Sequence, residues 1–186
     1  MNDLFHIDGG PLHPLFDGIV SVWEPLDRLD AYFEGYRFAS PFIAPQGVFI
    51  EAAESIAVGR NVSIEPGAFI RGPCIIGDGS IIRHGAYVRG HVVLGEGCVI
   101  GHATEVKRSI FLPGAKAAHF NYVGDSILGR GVNLGAGAIC ANMRFDKGEV
   151  AGGRTKLGAA IGDGAQVGCN AVLAPGSCIK RGKWVR

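Results

Sequence analysis

Arg71, Arg89 and Lys107 stand 18 residues apart, and His84 and His102 repeat the same interval. Like charges on neighbouring strands repel, and a phosphate lying across such a column would offset the repulsion. The planar fork of Arg suits that ligand especially well. A second reading is a solvated face on which local carboxylates, Glu65 and Glu105, supply the counter-charge, and both readings stay open at this level. A further group lies in 113–127, PGAKAAHFNYVGDSI, which holds His119, Tyr122 and Asp125. An imidazole titrating near neutrality is matched to taking a proton from a reacting group, although a histidine at a corner is also an ordinary solvated residue. His84 and His102 should stack, but His91 sits at a different point of the interval, so no metal site is expected.

An interval of 18 needs elements that repeat with it. Val58, Ile64, Ile70, Ile76, Ile82, Val88, Leu94, Ile100, Val106 and Leu112 are each six apart and all aliphatic. Four residues after each position from Val58 to Val106 runs a small or β-branched series, Val62, Ala68, Cys74, Ser80, Ala86, Val92, Cys98, Thr104 and Ile110. Neither a helix nor a hairpin sheet has this period. A short strand and a tight turn every six residues build a three-sided coil, each strand lying over its predecessor at about 4.8 Å. The aliphatic series then forms a continuous core, the small series fills the corners, and glycine takes the turns. The 30 glycines among 186 residues serve that purpose, since they show no collagen period.

The series fails after Leu112, where the next slots hold Ala118 and Gly124; it restarts at Leu128, Leu134 and Cys140. The step from 112 to 128 is two short of a full coil, so a register slip is expected within 113–127, around His119. A local break inside a regular fold is where function is expected. The ladder should run from about Val48 to Asn142, pause for a projecting loop over 143–156, and resume at Ile161, Val167, Leu173 and Ile179. That divides the chain into an N-terminal extension, 1–47, and a β-helix, 48–186. In the extension, Ser21-Val-Trp-Glu24 reads as a capping box, Pro25 suits a first helical turn, and Gly35 marks a stop. The helix over about 24–34, with Val22, Leu26, Leu29 and Phe33 along one face, is expected to cap the open end of the coil.

Charge and composition exclude several classes. Eighteen Lys+Arg against 17 Asp+Glu leave a net charge of +1, which argues against a nucleic-acid binder. No run of apolar residues is long enough to span a membrane. The start, MNDLFHIDGG, lacks the basic and apolar regions of a secretory signal. Five cysteines with no CxxC pair point to reduced thiols in the cytoplasm, with Cys74 and Cys98 in core slots.

Residues 105–142, EVKRSIFLPGAKAAHFNYVGDSILGRGVNLGAGAICAN, resemble the acetyltransferase domain of bifunctional N-acetylglucosamine-1-phosphate uridyltransferase/glucosamine-1-phosphate N-acetyltransferase, and the C-terminal domains of archaeal-type sugar-1-phosphate nucleotidyltransferases. The resemblance rests on E-x-K at Glu105–Lys107, H-x-x-Y-x-G-D at His119–Asp125, N-x-G-A-G at Asn133–Gly137, and the closing Asn142. It implies an all-β, left-handed parallel β-helix of hexapeptide repeats, assembled as a homotrimer with the site between subunits. It also implies direct acetyl transfer from acetyl-CoA to the amine of an amino-sugar phosphate, most directly glucosamine-1-phosphate. Carried over position by position, the general base falls on His119, and the phosphate contacts fall on Arg89 and Lys107. Sugar contacts fall on Tyr122 and Asn133, with Asn142 beside the amine; coenzyme A contacts fall on Ala136, Cys169 and Lys147. Backbone N–H groups of the Gly135–Gly137 corner would stabilise the developing oxyanion. The uridyltransferase half has no counterpart, so that activity is not expected. Met143 stands where the bifunctional enzymes carry an aromatic residue. The competing function is a non-catalytic trimeric scaffold or regulatory partner of a separate nucleotidyltransferase.

Overall fold

In the computed structural model, which describes residues 4–39 and 41–186, the six-residue period becomes a coil with three faces. Residues 1–3 and 40 of the extension, and with them the start of the segment read for a signal, lie outside the described residues. Each face is a seven-stranded parallel sheet, and the whole is a solenoid of the left-handed β-helix type. We name the faces A, B and C after their first strands, Phe49–Glu51, Ile56–Val58 and Ser63–Ile64. Ile70 pairs with Val88, Ile76 with Leu94 and Ile82 with Ile100, so residues 18 apart stack in columns. The inward aliphatic residues from Ile70 to Val106 are fully buried, as are Ala68, Cys74, Ser80, Ala86, Val92, Cys98 and Thr104 in the small slots. Each buried aliphatic side chain contributes about 1.5–3 kcal/mol, and the unbroken column is the main source of stability. Some corners leave no room for a side chain. A Cβ on Gly101 would lie 1.6 Å from the carbonyl oxygen of Ala118 in the next coil.

The irregular region differs from the expected slip. Phe111, not Leu112, continues the inner core, followed by Ala117, Val123, Leu128, Leu134 and Cys140. Leu112 and Ile110 face the other way, into a second apolar cluster, and Ser109 takes the small slot. The two missing residues are lost one at a time at the same corner, between sheets A and B. Where one coil turns through Gly90 and His91, the next turns through Arg108 alone, and the one after through Asp125 alone. Both single residues adopt positive φ, +42° and +48°, which lets one residue do the work of two. The coils around His119 are therefore uniformly 17 long, as Ile100 paired with Ala117 and Ala117 with Leu134 show. A fixed period of six shifts the phase by one residue at the first shortened corner, which is why Leu112 was assigned inward.

The extension forms three short helices, α1 (His13–Phe16), α2 (Glu24–Asp27) and α3 (Leu29–Gly35). The expected helix over 24–34 is thus split at Arg28, and α1 was not foreseen. Half of the capping box forms: Glu24 accepts from the Ser21 N–H at 2.7 Å, while the Ser21 hydroxyl accepts from Trp23 at 3.4 Å rather than capping α2. The helices do not cap the open end. Leu15, Phe16, Trp23, Leu26, Leu29 and Phe33 pack on the flank of the coil, against Val93, Ile110, Ile127 and Ala160 on the outer face of sheet B. These outward positions are apolar, so the apolar face of the helices is buried against them. Phe42 and Ala44, just ahead of the first coil, pack against the inner core instead. Arg108 fastens the flank by donating to Asp30 and to the Leu26 carbonyl. The loop over 143–156 projects only in part: Phe145 is fully exposed, whereas Val150 and Ala151 join the flank and Arg154 pairs with Asp27.

Candidate active site

The corner from sheet C to sheet A carries one column of residues, Pro66, His84, His102, His119, Ala136 and Cys169. His119 pairs in register with His102, its carbonyl accepts from Gly137, and the Ala136 carbonyl accepts from Asn170. Three positions expected to serve catalysis and coenzyme A, His119, Ala136 and Cys169, therefore lie on successive coils, about 4.8 Å apart. His84 and His102 stack as expected, rings 5.5 Å apart and 12° from parallel. Their Nδ1 atoms meet corner carbonyls, Pro66 O at 2.7 Å and His84 O at 2.8 Å. His119 breaks that pattern. Phe120 N–H takes the His102 carbonyl, and the exposed His119 ring has no hydrogen-bond partner among the described residues.

Asn121 fixes the backbone around this imidazole. It occupies a small inward slot, is 3% exposed, and accepts from His119 N–H at 3.1 Å while donating to the carbonyls of Gly135 and Ala138. A buried amide satisfied on both sides locks the two corners together. Sequence reasoning passed over Asn121; its signal was a large polar residue in a slot otherwise held by small ones. In the Gly135–Gly137 corner, Gly135 and Gly137 spend their N–H groups on the adjoining coils. Only Ala136 N–H lacks a partner there among the described residues, so the expected oxyanion donors reduce to one.

The cations stand on the outer face of sheet A and each meets a carboxylate: Arg71 with Glu51 at 2.8 Å, Arg89 with Glu105 at 2.6 Å, and Lys107 with Asp125 at 3.0 Å. The counter-charge reading thus accounts for the stacking, through Glu105 but not Glu65, which accepts from His84 N–H instead. Arg89 also lies over the Tyr87 ring, 5.8 Å from its centroid. Asp125 is 3% exposed and its Oδ2 accepts from both Lys107 and the Asn142 amide. The Asn142 carbonyl in turn accepts from the Tyr122 hydroxyl at 3.3 Å. Burial, aided by the Asp125 and Glu105 carboxylates, pushes the Tyr122 hydroxyl above its ordinary pKa and keeps it a donor.

Sheet A thus gathers Arg89, Lys107, Tyr122 and Asn142, one short strand from the His119 corner. Asn133 is not with them: it pairs with Lys116 and Gln166 on sheet C, across that corner. Lys147 stands exposed in the loop. A cleft of about 570 Å³ opens elsewhere, between Tyr32, Tyr36 and Ile75, and touches none of these residues. Among the described residues no three His, Cys, Asp or Glu side chains form a metal-binding group, and no helix is long and apolar enough to cross a membrane.

The three-sided ladder of stacked columns defines a solenoid of the left-handed β-helix type. Residues 70–153 match the family described as GMPPB C-terminal domain. A bifunctional sugar-1-phosphate nucleotidylyltransferase/acetyltransferase from Sulfurisphaera tokodaii is 43% identical over 91 residues, 44% of this chain and 22% of that protein. The bifunctional protein GlmU of Bacillus cytotoxicus is 38% identical over 81 residues, 44% of this chain and 16% of that one. GlmU of a Synechococcus strain is 35% identical over 116 residues, 62% of this chain and 20% of its own length. The chain therefore matches about a fifth of each relative. Within that span it is similar to the C-terminal acetyltransferase domain of sugar-1-phosphate nucleotidyltransferases, as the motifs at 105–142 imply.

Proposed function

We propose that this protein is an acetyl-CoA-dependent N-acetyltransferase acting on an amino-sugar phosphate, glucosamine-1-phosphate in the first place, with His119 as general base. The observation that carries this reading is the His119 imidazole, exposed and unpartnered among the described residues, at the rim of a polar sheet face that holds Lys107, Tyr122 and Asn142. The matched relatives, one of them a sugar-1-phosphate nucleotidylyltransferase/acetyltransferase, support the same reaction class.

As the amine attacks the thioester carbonyl, an N–C bond forms and the C–S bond breaks. His119 takes the amine proton and returns it to the departing thiol. The Ala136 N–H faces the carbonyl oxygen as charge grows on it, and its methyl side chain leaves the corner open to a thioester. Asn142 offers its carbonyl oxygen to the amine, and Arg89 and Lys107 hold the phosphate in line. Without a nucleophile paired to a base, no acyl-enzyme is needed. Lys147 and Cys169 remain the candidate contacts to coenzyme A, and Asn133 to the sugar.

The helices occupy sheet B, so copies of the chain would meet through sheets A and C. Exposed Phe49, Val172 and Trp184 lie on those faces. A homotrimer built this way places one subunit's sheet C, with Asn133, against the next subunit's sheet A. Buried, unpaired thiols suit a reducing cytoplasm. One observation favours the scaffold reading: every cation of the column already has a carboxylate. A thiol-release assay with acetyl-CoA and a panel of amino-sugar phosphates separates the two. Release with glucosamine-1-phosphate is expected; silence across the panel would select the scaffold.

A further inference from the structure

We infer that Ala103 and Phe120 are positioning residues which keep the His119 imidazole out of the histidine stack on the preceding coils, and so leave it free to face Ala136. The inference rests on the general-base reading of His119 and names what aims that base. Each corner from sheet C to sheet A passes through one residue at positive φ: Gly67 (+86°), Gly85 (+68°), Ala103 (+50°), Phe120 (+54°), Gly137 (+73°) and Asn170 (+58°). Glycine adopts this conformation freely and asparagine tolerates it, whereas a bulky side chain there is strained. Phe120 is the one large residue among the six, and it is 56% exposed, so neither backbone nor burial favours it. A strained residue beside a candidate catalytic group points to a task at that site.

The glycines of the same column show what the task is. His84 and His102 each reach back by Nδ1 to the carbonyl of the corner before, that of Pro66 and of His84. Their rings pass over the glycine that follows that carbonyl. A Cβ on Gly67 would stand 2.7 Å from His84 Nδ1, and one on Gly85 would stand 3.7 Å from His102 Nδ1. One coil on, behind His119, the same place holds the methyl group of Ala103. Phe120 adds a second obstacle, because its ring meets the His102 ring at 5.3 Å, 79° from parallel, where a third imidazole would join the stack. Backbone pairing does not set the third corner apart: Ala103 N–H reaches the His84 carbonyl at 3.4 Å, and the His102 ring bonds to that carbonyl all the same. The two side chains do set it apart. An imidazole tied to the His102 carbonyl would lean towards the coil behind it. The Ala136 N–H, set opposite the thioester in the proposed transfer, lies on the coil ahead.

The test restores the glycines. Ala103→Gly/Phe120→Gly is compared with wild type by crystal structure, melting temperature and kcat/KM for acetyl transfer to glucosamine-1-phosphate. Phe120→Gly alone is read in the same way if the double variant folds poorly. Glycine suits positive φ, so neither variant should lose stability through the backbone. In the variant structure His119 Nδ1 should lie about 3 Å from the His102 carbonyl, a hydrogen bond like those of the earlier coils. The same variant should lose about 100-fold in kcat/KM, the effect of a misplaced group. Phe120→Leu keeps a bulky apolar side chain in the slot and should hold the ring out and retain most of the activity. A His119 ring that stays off the carbonyl in the glycine variants, or one that joins it with no loss of kcat/KM, would overturn the inference. Silence of the wild type would instead remove the proposed reaction, while the ring positions would still show whether these side chains exclude the imidazole.

Discussion

His84 and His102 each commit a ring nitrogen to a corner carbonyl, and His119, one coil on, commits neither. Asn121 holds the His119 backbone, while the His119 ring stays off the corner carbonyl that its predecessors meet. Side-chain chemistry is graded just as locally among the thiols. Burial pushes Cys74, Cys98 and Cys140 up to about 12, while Cys169 stands exposed in the His119 column. Iodoacetamide at mildly alkaline pH should therefore label Cys169 in the folded protein and spare the three core thiols, as mass mapping would read. The same shifts predict a stability change. Folded thiols that ionise above their unfolded value contribute stability at low pH and lose it as pH rises from about 9 towards about 12. A melting temperature that stays level across the alkaline limb would contradict this.

At the scale of elements, the apolar outer face of sheet B decides where the extension goes. Ile110 is fully buried between the helices and the coil. Ile110→Ala should cost about 2–4 kcal/mol, read as a fall in denaturant midpoint with an unchanged slope. A cost below about 0.5 kcal/mol, the level of a surface change, would mean that the helices do not pack there. This docking was the least legible part of the sequence. Val93, Ile110 and Ile127 stand 17 apart, so a search at 18 scatters them among inward and outward positions. The core from Val58 to Val106 was legible because each coil repeats the same steric demand on the same slot. Arg108 and Asp125 hid the change of register, since a one-residue corner at positive φ leaves no mark in hydrophobic pattern. The site divides in the same way. Motif spacing singles out His119, Tyr122 and Asn142 as candidates. The carboxylate partners of Arg71 and Lys107, and the locking role of Asn121, depend on contacts between coils.

For the molecule as a whole, the coil supplies a rigid frame with two open faces and one covered one, and the candidate chemistry lies at the edge where the open faces meet. Its near-zero net charge reflects cations and carboxylates interleaved on sheet A rather than an absence of charge. A frame of this kind separates catalysis from folding, because the His119 ring is exposed and holds nothing in place among the described residues. The most direct measurement is kcat/KM for acetyl transfer to glucosamine-1-phosphate by wild type and His119→Ala, with melting temperature and oligomer mass recorded alongside. The account predicts a loss of about 10²–10⁴-fold, the range for removal of a general base, with melting and mass unchanged. Turnover close to wild type in the folded variant would contradict it.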